Sequence, residues 1–416
     1  YVADTYNNRI RQIVIDTGEV STLAGNNNSG SGDGTGDNAY FYSPYDITTD
    51  GTNLYVADSD NHKIRKIVIS SRVVSTIAGG YSGYYGGYQD GNGTNSSFNY
   101  PKGITIDGNT LYVSDSSNNR IRKIDLSTND VTTLAGDAGG DGSYDGNGIN
   151  SGFGHPSGIV TDGVNLYVSD QYTYKIRKID LSTVDVTTIA GTGSYGSADG
   201  RGTEASFKEP VGITLDGSDL YVADAYGYSI RKISSRSTAT ANLSLHNLDD
   251  DNDITVAVSS DDTGEGVVTP ETLTITAADW ETPQTVTVTG VDDTDTDGHR
   301  LYKIGLYAAN VLTSVPEVTT FAGTGSSGSE DGTGTEAEFH YPSGVTSDGT
   351  SIFVADKNNH VIRRVDISTG EVTTFAGEVG NSGHQDGYGT SSVYFNSPSG
   401  ITTDGTNLYV ADTYNN

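Results

Sequence analysis

The feature that most constrains the fold of this chain is a short apolar motif ending in Asp, which occurs seven times with the pattern Tyr or Phe, then Val, then Ala or Ser, then Asp. The copies lie at residues 1–4, 55–58, 112–115, 167–170, 221–224, 353–356 and 409–412. The intervals between them are 54, 57, 55, 54, 132 and 56 residues. A near-constant interval is typical of a repeat architecture. The chain is therefore predicted to contain one repeated unit of about 55 residues, interrupted once after Asp224.

Each unit is predicted to form four short antiparallel strands. Apolar or alternating segments are separated by turn-forming residues, as at 158–162, 166–170, 175–181 and 186–191. An Asp-Gly pair such as Asp162-Gly163 joins the first two segments, because Gly accepts the positive φ that a tight hairpin requires. No segment shows sustained helical periodicity. A four-stranded unit repeated radially is typical of a β-propeller blade.

The number of blades follows from the two ends of the repeat array. Residues 1–8 recur letter for letter at 409–416, six repeats later, so the chain returns to the same position in the unit. We therefore predict an all-β fold, a six-bladed β-propeller, in which residues 400–404 supply the inner strand that the first unit lacks. A longer array would give the same duplication, and the absence of any Met predicts that the chain is a segment of a longer polypeptide.

The long interval marks an insertion of different composition. It contains the only Trp, Trp280, and acidic runs between segments rich in Thr and Val. Strands are predicted at 242–246, 254–259, 272–276, 285–291 and 301–307, which together would form a small β-sandwich. The predicted domains are residues 1–235 for the first propeller blades, 236–316 for the inserted domain and 317–416 for the remaining blades.

Two stretches resemble known families. Residues 98–108 (FNYPKGITIDG) and 111–125 (LYVSDSSNNRIRKID) resemble the NHL repeat, and the pattern recurs six times. Residues 267–293 resemble the Calx-beta-like domains of large bacterial surface proteins. The NHL resemblance implies a propeller. It leaves function open, since that family includes RNA-binding propellers, extracellular ligand-binding and adhesion modules, sensor domains and a zinc-dependent lyase.

Composition excludes several classes of function. With 23 Lys and Arg against 54 Asp and Glu, the chain carries a formal charge of −31, which disfavours nucleic acids and anionic membrane surfaces as partners. The absence of Cys excludes thiolate metal sites and thiol nucleophiles. No run of about 18 apolar residues is present, so no membrane insertion is expected within this sequence.

Two acidic clusters in the insertion are candidate calcium sites. Alternating carboxylates followed by Gly298 can direct several oxygen atoms at one Ca²⁺ ion. The alternative is that both clusters are solvated acidic turns. The predicted metal ligands are Asp293, Asp295 and Asp297 in the first cluster and Asp249, Asp251 and Asp253 in the second.

Two further patterns recur in the propeller units. An Asp-Gly-x-Gly sequence, as at 33–36, is followed by a Phe that is predicted to plug the next blade, and a structural role is favoured over ion binding. An Ile-Arg pair, as at Ile64-Arg65, occurs once in each unit together with the Asp of the motif. Ion pairs between adjacent blades are favoured over a ring that binds an anion.

The loop after each motif varies, and loops on a rigid scaffold often carry specificity. Tyr rings with Asn amides suit sugars, which stack on aromatic faces and hydrogen-bond through their hydroxyls. The alternative is that these residues only decorate the surface. The predicted ligand-binding face comprises Tyr6, Asn8, Asn61, His62, Asn119, Tyr172, Tyr174, Tyr226, Tyr228, Asn359 and His360.

These patterns favour an extracellular or cell-surface module for recognition or adhesion. The expected partner is a glycan or an extracellular protein, with Ca²⁺ in the inserted domain. One alternative is a metal-dependent lyase or hydrolase centred on the propeller channel, and another is a spacer in a large repetitive surface protein. Binding is favoured over catalysis because His62, His155, His340 and His360 form no complete catalytic motif.

Overall fold

The computed structural model describes residues 8–26, 28–80, 86–137, 142–234 and 316–410, and the backbone of five strands between residues 238 and 290. The chain divides into two compact units. One comprises Tyr1–Ile233 with Val318–Asn416, and the other comprises Ser234–Glu317.

The first unit is a β-propeller, and its described residues form six five-stranded antiparallel sheets, or blades. The inner strands surround a central channel. For blades 1 to 6 they are Ile401–Thr403, Pro44–Thr49, Pro101–Asp107, Pro156–Thr161, Pro210–Asp216 and Pro342–Ser347. The second strands are Asn407–Val410, Asn53–Asp58, Thr110–Asp115, Asn165–Asp170, Asp219–Asp224 and Ser351–Asp356.

The outer part of each blade follows the same order. The third strands are Arg9–Val14, Lys63–Val68, Arg120–Asp125, Lys175–Asp180, Ser229–Ser234 and Val361–Asp366. The fourth are Glu19–Gly25, Val73–Ala78, Asp130–Ala135, Asp185–Ala190, Glu317–Ala322 and Glu371–Ala376. Two-residue edge strands complete the sheets at Gly387–Tyr388, Gly34–Thr35, Gly91–Asn92, Gly146–Asn147, Gly200–Arg201 and Gly332–Thr333.

Short 3-10 helices occupy two loops of the repeated unit. Those between the edge strand and the inner strand are Gly36–Asn38, Gly93–Asn95, Gly148–Asn150, Gly202–Glu204 and Gly334–Glu336. Those between the second and third strands are Ser59–Asn61, Ser116–Asn118, Gln171–Thr173, Ala225–Gly227 and Lys357–Asn359. No helix in the described part of the chain has the length and apolar character needed to cross a membrane.

The predicted hairpin turns account for the inner half of each blade. In blade 2 the Asp50 carboxylate accepts hydrogen bonds from the backbone N–H groups of Thr52 and Asn53, at 2.8 and 2.6 Å. Gly51, which lies between Asp50 and Thr52, has a φ of +81°. The side chain and the Gly thus fix a tight turn that pairs the inner strand with the second.

Strands from both ends of the sequence close the ring in blade 1. Asn407–Val410 pairs antiparallel with Arg9–Val14, so that Arg11 lies opposite Val410. Ile401–Thr403 is the inner strand, which confirms the six-bladed propeller and the expected closure through residues 400–404. Residues 409 and 410, at the start of the C-terminal copy of the duplicated sequence, lie in the second strand of this blade.

A buried Arg connects the inner, outer and edge parts of each blade. Arg65 binds Asp58, at the end of the second strand, at 2.7 Å and Asp33, beside the edge strand, at 2.9 Å. Its guanidinium carbon lies 5.1 Å from the ring centre of Phe41, which is fully buried. The predicted partnership of Asp and Arg is therefore present, but the interpretation as pairs between adjacent blades is wrong. Both carboxylates belong to the sheet that carries the Arg.

The same arrangement recurs around the ring. The Phe residues that follow the edge strands are all buried, and an Arg lies over each ring. The Phe–Arg pairs are Phe395 with Arg11, Phe41 with Arg65, Phe98 with Arg122, Phe153 with Arg177, Phe207 with Arg231 and Phe339 with Arg363.

The second unit is described only by its strand backbone. Thr238–Leu243 and Gly266–Thr269 flank Gln284–Gly290 in one sheet, and Ile254–Ala257 pairs with Thr272–Ile275 in another. Gly266–Thr269 was not predicted as a strand, and the segment predicted at 242–246 begins earlier. The segment predicted at 301–307 lies outside the described residues. The β-sandwich stays a prediction.

Candidate functional site

The six inner strands form the wall of the central channel. It holds a cavity of about 90 Å³ that residues from all six blades line. Five blades place a Gly at the third residue of the pattern Pro-x-Gly, at 103, 158, 212, 344 and 400. A Cβ atom on Gly212 would lie 2.2 Å from the Ser343 carbonyl oxygen of the next blade. The glycines therefore allow neighbouring inner strands to approach closely.

Asp46 occupies this position in blade 2, where the other blades have Gly. Its Oδ2 accepts a hydrogen bond from the backbone N–H of Ile104 at 3.0 Å. A Cβ atom on Gly400, on its other side, would lie 2.8 Å from Oδ1. Burial raises the pKa of Asp46 to about 7, against the opposing effect of the N–H groups of Ile104 and Ile47. The channel thus carries one carboxyl group at a position that is otherwise glycine.

A polar cluster lies at the end of the channel where the inner strands begin. We call it the mouth cluster, and it comprises Tyr45, Lys102, Gln171, Glu209, Tyr341 and Lys357. Five blades contribute to it. Tyr45 and Lys102 lie in the inner strands, Glu209 and Tyr341 precede a strand-initiating Pro, and Gln171 and Lys357 follow the Asp of the repeated motif.

The mouth cluster is connected by hydrogen bonds. Lys102 Nζ donates to Gln171 Oε1 at 2.8 Å, and Gln171 Nε2 donates to Glu209 Oε1. The Tyr341 hydroxyl donates to Glu209 Oε2 at 3.0 Å. Glu209 and Gln171 are buried, so the network holds a carboxylate in place.

Aromatic rings and charges act on the two lysines. Lys102 Nζ lies 5.3 Å from the ring centre of Tyr45, and Lys357 Nζ lies 5.6 Å from that of Tyr341. Burial lowers the pKa of Lys102 and of Lys357 to about 8 each, and the Glu209 carboxylate opposes both shifts. Burial also raises the pKa of Tyr341, with a further contribution from Glu209.

Two predicted ligand-binding residues lie beside the mouth cluster. The side chains of Tyr172 and Tyr226 are 56% and 48% exposed. The ring of Tyr226 stands edge-on to that of Tyr341, with centres 4.9 Å apart, and the ring of Tyr172 lies 4.6 Å from that of His155. Tyr172 is also close enough to Tyr45 to influence its pKa electrostatically. The structure thus brings exposed aromatic faces next to buried charges.

Four other predicted residues form hydrogen bonds between blades. Each has a left-handed backbone conformation, and its side chain accepts from the N–H of a residue that leads into the next inner strand. The pairs are Asn8 with Ser43 at 3.2 Å, His62 with Tyr100 at 3.0 Å, Asn119 with His155 at 2.9 Å and His360 with Ser397 at 3.0 Å. These contacts give the four residues a structural role, and ligand binding by them stays a prediction.

The remaining predicted residues fall into three groups. Asn61 and Asn359 bind the Asp of the motif, each at 2.8 Å. The ring of Tyr174 packs edge-on to that of Tyr195, and the ring of Tyr228 packs edge-on to that of His340. The others lie outside the described residues: Tyr6, Asp249, Asp251, Asp253, Asp293, Asp295 and Asp297.

The mouth cluster and Asp46 were not predicted from the sequence. A signal was present, because Tyr45, Asp46, Lys102, Gln171, Glu209 and Lys357 each depart from what the other repeats carry at their positions, whereas Tyr341 shares its position with Tyr100. That signal has meaning only once the inner strands are known to converge. Within the described ranges, no three His, Asp or Glu residues form a group that could hold a metal ion.

Comparisons with known proteins agree with this architecture. A profile of the NHL repeat matches residues 98–124. The chain is similar to Protein SUPPRESSOR OF QUENCHING 1, chloroplastic, of Arabidopsis thaliana, with 34% identity over 253 residues, covering 56% of this chain and 23% of that protein. It is also similar to NHL repeat-containing protein 2 of Homo sapiens, with 30% identity over 266 residues, covering 56% of this chain and 37% of that protein. The chain thus spans less than two fifths of either relative.

Among solved structures, an auxiliary nutrient binding protein from Bacteroides thetaiotaomicron aligns with a TM-score of 0.55 and 16% identity, over 97% of this chain and 76% of that one. That likeness concerns the fold alone. The closed ring of sheets defines the class as a six-bladed β-propeller. The profile match identifies one NHL repeat, at residues 98–124, and one of the two relatives is named for this repeat.

Proposed function

We propose that the propeller is a recognition module that binds a glycan or a protein at the channel mouth. The observation that carries this proposal is the mouth cluster itself, where buried Gln and Glu side chains and half-buried Lys side chains adjoin the exposed rings of Tyr172 and Tyr226. A concave site with a few fixed polar groups and aromatic walls is typical of ligand binding. Exposed Tyr rings offer stacking surface, and the fixed polar groups offer orientation.

The test is binding of the whole chain to a panel of oligosaccharides, measured by calorimetry. Tyr172→Ala and Tyr226→Ala should weaken binding by about tenfold or more each, because an aromatic contact contributes about 1–3 kcal/mol. Tyr388→Ala is the matched control, since that exposed Tyr lies on the edge strand of blade 1. Equal losses for Tyr388→Ala, or no binding to any saccharide, would reject the glycan ligand at this face.

The proposal extends to an extracellular or cell-surface location and to a Calx-beta-like inserted domain that binds Ca²⁺. The acidic runs of that domain support it, because Asp and Asn oxygens are the ligands that calcium prefers. Calcium titration should show saturable binding that is weakened when Asp293, Asp295 and Asp297 are replaced by Asn. A magnesium titration is the control for general counterion binding, and equal heats for both ions would contradict a specific site.

A further inference from the structure

The mouth cluster concentrates positive charge in a strongly acidic chain. The chain has 23 Lys and Arg against 54 Asp and Glu, and the Arg of each blade is committed to carboxylates of its own sheet. Lys102 and Lys357 come from different blades, yet both adjoin Glu209. Lys102 Nζ donates to Gln171, which donates to Glu209. Lys357 Nζ lies 5.6 Å from the ring centre of Tyr341, whose hydroxyl donates to Glu209. Two ammonium groups brought together beside a cavity are typical of a site for an anion.

The internal carboxylate of the cluster already has partners for both of its oxygen atoms. Glu209 Oε1 accepts from Gln171, and Oε2 accepts from Tyr341. An ammonium group has three N–H donors, and within the described residues Lys102 Nζ donates one of them, to Gln171. Lys102 therefore keeps donors for a ligand, while Glu209 is held as a fixed counter-charge.

Asp46, also in the channel, does not cancel the preference of the two lysines for an anion. Burial raises its pKa to about 7, so a substantial fraction of the carboxyl is neutral at that pH. The N–H of Ile104 also donates to the ionised form, which disperses its charge. The balance of positive and negative charge at the mouth thus differs from that of the chain as a whole.

We propose that the ligand at the mouth is a saccharide that carries a carboxylate, such as a uronic acid. Its carboxylate would bind Lys102 and Lys357, and its ring would stack on Tyr172 or Tyr226. This inference rests on the proposed recognition function and narrows its ligand class. The net charge of −31 repels long polyanions, so a short oligosaccharide or a chain end is the expected form.

The experiment compares two ligands of the same sugar backbone, one with free carboxylates and one with neutral methyl esters. Trigalacturonate and its fully methyl-esterified form are titrated into the whole chain by calorimetry at pH 7 and about 0.15 M salt. The acid form should bind about tenfold more tightly or better, because a hydrogen bond to a charged group is about twice as strong as a neutral one. Combined Lys102→Met and Lys357→Met substitutions should remove this preference. Lys178→Met, on the third strand of blade 4 and outside the channel lining, should retain it.

The outcomes separate the two proposals. Equal affinity for acid and ester in the unmodified protein would overturn the inference and leave the recognition of neutral glycans standing. Retention of the acid preference in the double variant would place the anion elsewhere and would also overturn it. Absence of binding to both forms would reject the inference, and binding of other saccharides in the panel would then decide the broader proposal. Circular dichroism melting curves show whether the double variant is folded.

Discussion

The buried ion pairs of the blades allow a sharp prediction, because one Arg binds two carboxylates of very different exposure. The Asp58 side chain is 0% exposed and that of Asp33 is 52% exposed, and both contact Arg65. Asp58→Asn and Asp33→Asn remove the same formal charge and leave the side-chain size unchanged. Their effects on the free energy of unfolding should nevertheless differ several-fold.

The magnitude follows from the hydrogen bonds. Asp58 Oδ1 accepts from the N–H of Tyr42 at 2.8 Å, while Oδ2 accepts from Asn61 Nδ2 at 2.8 Å and Arg65 Nη1 at 2.7 Å. An Asn amide must place its NH₂ group against at least one of these donors, in a fully buried site. Removing one partner of a buried ion pair costs about 3–5 kcal/mol.

Asp33 is in a different situation. Its Oδ1 accepts from Arg65 Nη2 at 2.9 Å and from the Thr76 hydroxyl at 2.9 Å, but water reaches the carboxylate. Solvent can replace a lost bond there, so Asp33→Asn should cost about 1 kcal/mol or less.

Urea unfolding followed by circular dichroism measures both free energies against the unmodified chain. The equivalent pair in blade 3, Asp115 and Asp90 around Arg122, provides a repeat of the experiment in the same molecule. Equal costs for the buried and exposed variants in both blades would refute the assignment of the inner carboxylate as the main partner of the Arg.

Two further predictions concern the channel. Because burial raises the pKa of Asp46 to about 7, its contribution to stability is present below about pH 4 and is lost as the pH rises through 7. Asp46→Asn keeps the acceptor for the Ile104 N–H, so its free energy of unfolding should equal that of the unmodified chain at pH 4 and be higher by a few kcal/mol at pH 8, at about 1.4 kcal/mol per pKa unit. Urea unfolding at both pH values measures the difference, and a difference that does not change with pH would contradict the prediction. Gly212→Ala places a methyl group 2.2 Å from the Ser343 carbonyl oxygen and should cost about 1–3 kcal/mol in thermal unfolding, whereas Val164→Ala at an exposed turn should be nearly neutral.

The local elements of the fold could be predicted because they depend on local chemistry. The Asp-Gly hairpins, the period of the motif and the duplicated ends specify four-stranded units, their number and the closure of the ring. The edge strands were not predicted. Each has only two residues, such as Gly34–Thr35, and such a segment becomes a strand only when a partner strand is available.

The candidate site could be predicted only in part. Tyr172 and Tyr226 were found because they lie in a variable loop, and the structure leaves both exposed. The Asn and His residues of the same loops resembled them in the sequence, yet His62 and Asn119 bind the backbone of the next blade. Sequence position alone does not show whether a polar side chain meets solvent or a neighbouring strand.

By itself the sequence determined the repeat, the all-β units, the acidity and the recurrence of an Arg and an Asp in each unit, since these follow from residues close together in the chain. Only the tertiary structure decided which residues share the channel mouth. Lys102, Glu209 and Lys357 are separated by more than a hundred residues from one to the next, and closure of the ring brings them together. The physical reason is that a propeller converts equivalent positions in distant repeats into neighbours around one axis, so that departures from the repeat create an asymmetric site.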